Sequence, residues 1–261
     1  MRLSLIWTLF CSLFLTFFST HAQLPVNSDE FGKNRVQYRS FTWQYLSTPN
    51  FEIHFYGDGE TIARQTATIA EQEYERITRT IGFAPYNKVK VFVYHSVADL
   101  QQSNVGVSEQ DFSLGGQTNF NKSIVELAYT GSRSSYRDEL IREISDALLF
   151  EMMYGGNLKE ILQSSYLLSL PDWFISGASS YVTESWSLEM DDFVRAQVAD
   201  RKFDKPDLFT GEEARYIGHS IWNFIAIKYG QNALANILNL TRIVRNERGA
   251  IQSSIGLPYS D

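Results

Sequence analysis

Alternation of apolar and polar positions organises the first half of the chain. Phe51, Ile53 and Phe55 alternate with Glu52 and His54, the two-residue period of a half-buried strand, and a β-rich run at 41–46 precedes them. Gly57-Asp58-Gly59 makes a turn. From Glu60 to Ile81 the period lengthens to that of a helix, with Ala63, Ala70, Tyr74, Ile77 and Ile81 on one stripe. Gly82 stops this helix and Pro85 keeps it stopped. Residues 88–94 alternate again and predict a strand. Ser96 is placed to cap a short helix through Gln102, and the glycine-containing stretch 112–120 leads to a further strand at 123–129.

From Ser134 onward the pattern is helical. Ser135 with Asp138 three residues later forms a capping box in its looser acidic form. Leu140, Ile144, Leu148 and Met152 then fall four apart on one face, up to Gly155-Gly156. Further helices are predicted at 157–168, 176–184, 188–199, 212–229 and 232–244, with Pro171 after 164–170 read as a helix end. No repeat and no low-complexity tract interrupts the chain. The expected fold class is α+β: a small α/β sheet layer at 23–133 followed by a mainly helical half at 134–261.

Composition narrows the chemistry. The 261 residues are 44% hydrophobic, which excludes intrinsic disorder and is ample for a core. With 23 Lys+Arg against 30 Asp+Glu, a formal charge of −7 and no basic cluster, nucleic acid is excluded as a partner. Met1-Arg2, the apolar run from Leu3 to Phe18 and Thr20-His21-Ala22 have the three parts of a signal peptide, with cleavage expected near Ala22. The apolar run is too short for a spanning helix. Its removal takes away Arg2 and the single cysteine, Cys11, leaving 22 basic against 30 acidic residues and a charge of −8. The exported chain is then thiol-free, which excludes thiol catalysis, iron–sulfur clusters and cysteine zinc sites. Its histidines are His54, His95 and His219.

Two stretches carry the functional argument: Arg142-Glu143-Ile144-Ser145-Asp146 on the helix after the last strand, and Leu170-Pro171-Asp172-Trp173-Phe174-Ile175-Ser176-Gly177. In this order and context they resemble the gluzincin metallopeptidases, in particular the peptidase-MA-like domains. There, a strand precedes a helix bearing His-Glu-x-x-His, and a second helix begins with Pro-x-Trp-Phe-x-Glu-Gly, whose glutamate is the third zinc ligand. The resemblance runs from about Phe51 to the C-terminus and is best at 138–150, 170–181 and 218–230. It implies a gluzincin-like fold. Glu143 keeps the general-base identity, and Pro171, Trp173, Phe174 and Gly177 match. Arg142, Asp146 and Ser176, however, stand where the three zinc ligands would be. A catalytic zinc needs three protein ligands and an open fourth position. No catalytic residue, metal or cofactor is therefore expected at Arg142, Glu143, Asp146 and Ser176. Arg142 and Asp146, one turn apart, are expected to pair across the former metal position, with Glu143 or Ser176 joining them, or else to lie on an ordinary solvated face.

Other features are weaker. Glu143, Asp146 and Glu151 could hold a hard cation, but Arg142 opposes one and no spaced Asp/Asn loop supports it. Glu143 and Asp146 are a pair of carboxylates of the kind that hydrolyse glycans, though helices carry such pairs constantly. His219 has Ser220 beside it but no acid partner and no Gly-x-Ser-x-Gly elbow, and reads as a packing or capping histidine. Leu114-Gly115-Gly116 lacks the spacing of a phosphate loop. Asn121-Lys122-Ser123 and Asn239-Leu240-Thr241 match glycosylation sequons. Trp173, Phe174, Tyr181 and Trp186 are candidates for the lining of the old substrate groove.

The resemblance also extends to the N-terminal domains of envelope proteins of Bacteroidetes-type bacteria, which continue into a TolB-like β-propeller. It implies a secreted pseudoenzyme, periplasmic or associated with the outer membrane, that binds an envelope protein, peptide or glycan. A hydrolase with an unconventional site around Glu143 and Asp146, and a structural domain orienting a downstream propeller, are the alternatives.

Overall fold

In this computed structural model the described residues are 39–100, 102, 124–155, 168–203 and 205–256, with the backbone alone at 112–113 and 117–118. The signal segment, Cys11, Gln23, the helix expected at 157–168 but for Leu168, Leu114-Gly115-Gly116 and the sequon at Asn121 lie outside them. The described residues all fall within one compact unit.

Strands β1 (Trp43–Ser47) and β2 (Phe51–Tyr56) form an antiparallel hairpin. At its turn Glu71 accepts the Asn50 backbone N–H at 2.9 Å and its side-chain amide at 2.7 Å. Helix α1 (Glu60–Ile81) returns the chain to β3 (Val89–Tyr94), parallel to β2. A short helix α2 (Val97–Leu100) and a two-stranded piece, β4 (Phe112–Ser113) with β5 (Gln117–Thr118), precede β6 (Ile124–Ala128), which is parallel to β3. The sheet order is β1-β2-β3-β6. Phe51, Ile53, Phe55, Val89, Val91, Val93, Val125 and Leu127 face inward, as the alternation predicts, and share one core with the helices.

Gly82 ends α1 in the left-handed conformation (φ 72°), its N–H bonded to the Thr78 carbonyl. A β-carbon there would also come within 2.7 Å of Ala235 Cβ, so the position requires glycine twice over.

The helical half comprises α3 (Arg133–Tyr154), α4 (Asp172–Thr183), α5 (Leu188–Ala199), α6 (Gly211–Tyr229), α7 (Asn232–Val244) and α8 (Glu247–Ile255), with a 3-10 turn at Pro206–Leu208. The N-cap of α3 is Ser132, whose hydroxyl accepts from the Ser135 N–H at 3.4 Å, not the expected box of Ser135 with Asp138. Serines at 132, 134 and 135 all have capping chemistry, and the helix takes the earliest. Pro171 is the N-cap of α4, which starts four residues before the predicted position, while the helix end expected at 164–170 lies mostly outside the described residues. The fixed Pro171 φ of −67° suits the entry to a helix as well as an exit. Helix α8 was not predicted; Asn246 caps it by accepting from Gly249 N–H at 2.6 Å.

Two long faces of α3 are apolar. Besides the predicted Leu140, Ile144, Leu148 and Met152, residues Ile141, Ala147, Leu149, Phe150, Met153 and Tyr154 are buried. No helix among the described residues is long and apolar enough to cross a membrane.

Candidate functional site

Helix α3 is enclosed on most sides, and Arg142, Glu143 and Asp146 form its half-buried polar strip. The guanidinium of Arg142 donates to Glu139, one turn back, and lies 3.7 Å from Glu143. Burial works against its charge, but the bond to Glu139 and the fields of Glu139, Glu143 and Asp146 outweigh it and raise its pKa. The expected Arg142–Asp146 pair is thus corrected in one respect: the hydrogen-bonded partner is Glu139, and Asp146 acts on Arg142 through its field. Both carboxylates are one turn from Arg142, and the i,i+3 geometry of Glu139 wins the bond.

The second motif opens α4. Ser176 donates its hydroxyl back to the Asp172 carbonyl at 2.6 Å. Asp172 in turn accepts the Gly211 N–H at 3.1 Å, tying the start of α4 to the start of α6. These side chains do not suit a zinc ion. A guanidinium has no lone pair to offer, and the Ser176 hydroxyl is already turned onto its own helix. Among the described residues no group of three or more His, Cys, Asp or Glu is placed to hold a metal.

Trp173 and Phe174 are fully buried and line no groove. The Trp173 indole donates to Asp207 at 2.8 Å, while Trp222 donates to the Phe174 carbonyl at 3.0 Å. Their place in the motif is explained by packing: Gly177 and Gly218 let the backbones of α4 and α6 touch, and the two indoles fill the flanks of that crossing. Of the four aromatic candidates, Tyr181 and Trp186 reach the surface, Trp186 with 37% exposure. Tyr181 donates to Gln231 at 2.9 Å.

Both rings meet His219, which is buried as expected of a packing histidine. Its partner is Ser180, whose hydroxyl lies 2.8 Å from His219 Nδ1, with both residues buried. Ser180 Oγ is also 3.3 Å from Glu184, and Arg215 bonds both Glu184 and Glu212. The His219 ring meets Trp186 edge-on at 5.3 Å and Tyr181 at 5.9 Å. The signal was present in the sequence: Trp173, Gly177 and Ser180 are spaced 4 and 3 apart, so a helix places all three on the face that meets Gly218 and His219.

Burial, reinforced by the Arg215 charge, pushes the His219 pKa down to about 4. An unfolded chain takes up this proton near pH 6.5 and the folded chain refuses it, so His219 costs stability as pH falls from about 6.5 to about 4 and nothing further below. In a His219→Gln variant the slope of unfolding free energy against pH, measured by urea titration, is expected to flatten across that window by up to one proton, about 1.4 kcal/mol per pH unit. Equal slopes for the two proteins would mean that His219 titrates normally in the fold.

The Asn239 sequon is occupied structurally: the Asn239 amide donates to the carbonyls of Ala235 and Gly82, and Thr241 is fully buried.

No family model matches the chain, and no solved structure matches it.

Proposed function

We propose that the chain is a gluzincin-like pseudo-peptidase, exported to the bacterial envelope, that binds or assembles rather than hydrolyses. The observation that carries this reading is what the substituted motif positions do. Arg142 holds Glu139 and sits 3.7 Å from Glu143, so the one residue with a general-base identity faces a guanidinium where the family has a metal-bound water. Ser176 satisfies a backbone carbonyl. The two motif helices, α3 and α4, pack against each other. On this reading the contact surface is centred on Tyr181 and Trp186, and its partner is an envelope protein, peptide or glycan, with a downstream β-propeller as a neighbour in a longer parent chain.

The test is hydrolysis of a mixed peptide library by the purified protein, with and without added zinc and chelator. Turnover is expected to equal that of buffer under every condition. Chelator-sensitive cleavage that disappears in Glu143→Gln would overturn the proposal and favour an active hydrolase centred on Glu143 and Asp146.

A further inference from the structure

We infer that His219, held by Ser180, is the positioning residue that fixes Trp186 and Tyr181 at the surface, and that this buried contact adds a metal-free link to those that join the second motif helix to α6. The argument starts at the α4–α6 crossing. A β-carbon at Gly177 would lie 2.3 Å from Gly218 Cα, so the two helix backbones are in contact there. One turn along α4 from Gly177, and next to Gly218 on α6, Ser180 and His219 meet at 2.8 Å. Both side chains are buried, and a low local dielectric strengthens their hydrogen bond.

The ring of His219 continues outward from that bond. Trp186 lies against it at 5.3 Å with planes at 64°, and Tyr181 at 5.9 Å with planes at 78°, both edge-to-face geometries. Trp186 stands just past the end of α4, in the connection to α5, where backbone structure alone does not fix a side chain. On α5, Asp191 accepts from Arg195 at 2.6 Å, and its carboxyl is held low by that bond and by the nearby Trp186. Tyr181 is tethered at its far end to Gln231. His219 touches both surface rings and, through Ser180, the buried helix pair. Its neighbours complete the setting: Ser180 and Glu184 from α4, and Arg215 from α6, which bridges Glu184 and Glu212.

The inference gives a mechanical role to a histidine that the substituted zinc motif leaves unused. It rests on the proposed reading only in treating Tyr181 and Trp186 as the contact surface; the side-chain geometry stands without it. The experiment is fluorine NMR of protein labelled with 5-fluorotryptophan, the Trp186 resonance being assigned by its absence in Trp186→Phe. In His219→Ala and in Ser180→Ala the Trp186 resonance is expected to move toward the free amino acid and sharpen, while those of Trp173 and Trp222 keep their positions and report an intact core. His219→Gln, which retains a side-chain acceptor for Ser180, is expected to recover part of the shift, and a chelator is expected to change nothing. A Trp186 resonance unmoved in both His219→Ala and Ser180→Ala, with release only in Asp191→Ala, would place the control on α5 and overturn the inference. Movement on chelation alone would overturn its metal-free part. Peptide hydrolysis tests the functional proposal separately, so either can fail while the other stands.

Discussion

Gly218→Val is expected to prevent stable folding, and Gly218→Ala to cost about 3 kcal/mol or more in urea unfolding. An added β-carbon at Gly218 would lie 2.0 Å from the Trp173 carbonyl oxygen and 2.7 Å from Gly177 Cα. Both are backbone atoms, so no rotamer change relieves the contact. The helices must separate, and separation pulls Trp222 from the Phe174 carbonyl and Ser180 from His219. Against a domain stability of about 5–15 kcal/mol, that is a large fraction of the whole. A Gly218→Ala protein within about 0.5 kcal/mol of the original would show that α4 and α6 do not cross as described.

The second large effect is a gain. Arg142→His, Asp146→His and Ser176→Glu together supply the three ligand identities of the gluzincin pattern that the motif resembles. Positions 142 and 146 lie one turn apart on α3, and α4 packs against that helix. The triple variant is expected to bind one zinc per chain, with ligands supplied by two rigid, packed helices. Zinc at about a hundred times its Kd then stabilises by about 2.7 kcal/mol, read as a Tm increase of roughly 5–10 °C that a chelator reverses. A variant that folds and melts as before but takes up no zinc would show that the three positions do not converge, and the resemblance would be one of isolated words.

Strong periodicity was legible. β2 and α1 stand at their predicted bounds because alternation, a helical stripe and Gly82 all point the same way. Boundaries failed where one residue type serves two purposes. Pro171 reads equally as a stop and as an entry, and three serines compete for one cap. The mixed character, a four-stranded sheet followed by helices, followed from the order of the elements. The site was less legible, because its contacts are made across helices. Trp173 and Phe174 belong to a motif, and a motif does not say whether an aromatic ring faces a groove or a core; the Gly177–Gly218 contact decides it. Arg142 has carboxylates at i−4, i−3, i+1 and i+4, and the choice among them rests on rotamers that spacing does not specify. Ser180 and His219 are 39 residues apart in the chain, so their bond emerges only when α4 and α6 are laid together.

Zinc binding by the unaltered protein bears most directly on the claim that the motif has lost its metal. Isothermal titration of the purified, chelator-treated chain with zinc is expected to show no saturable uptake, and zinc is expected to leave its Tm unchanged. One zinc bound per chain, abolished by Asp146→Ala and accompanied by a higher Tm, would contradict the proposed loss of the metal at Arg142, Asp146 and Ser176 and favour a metallopeptidase reading.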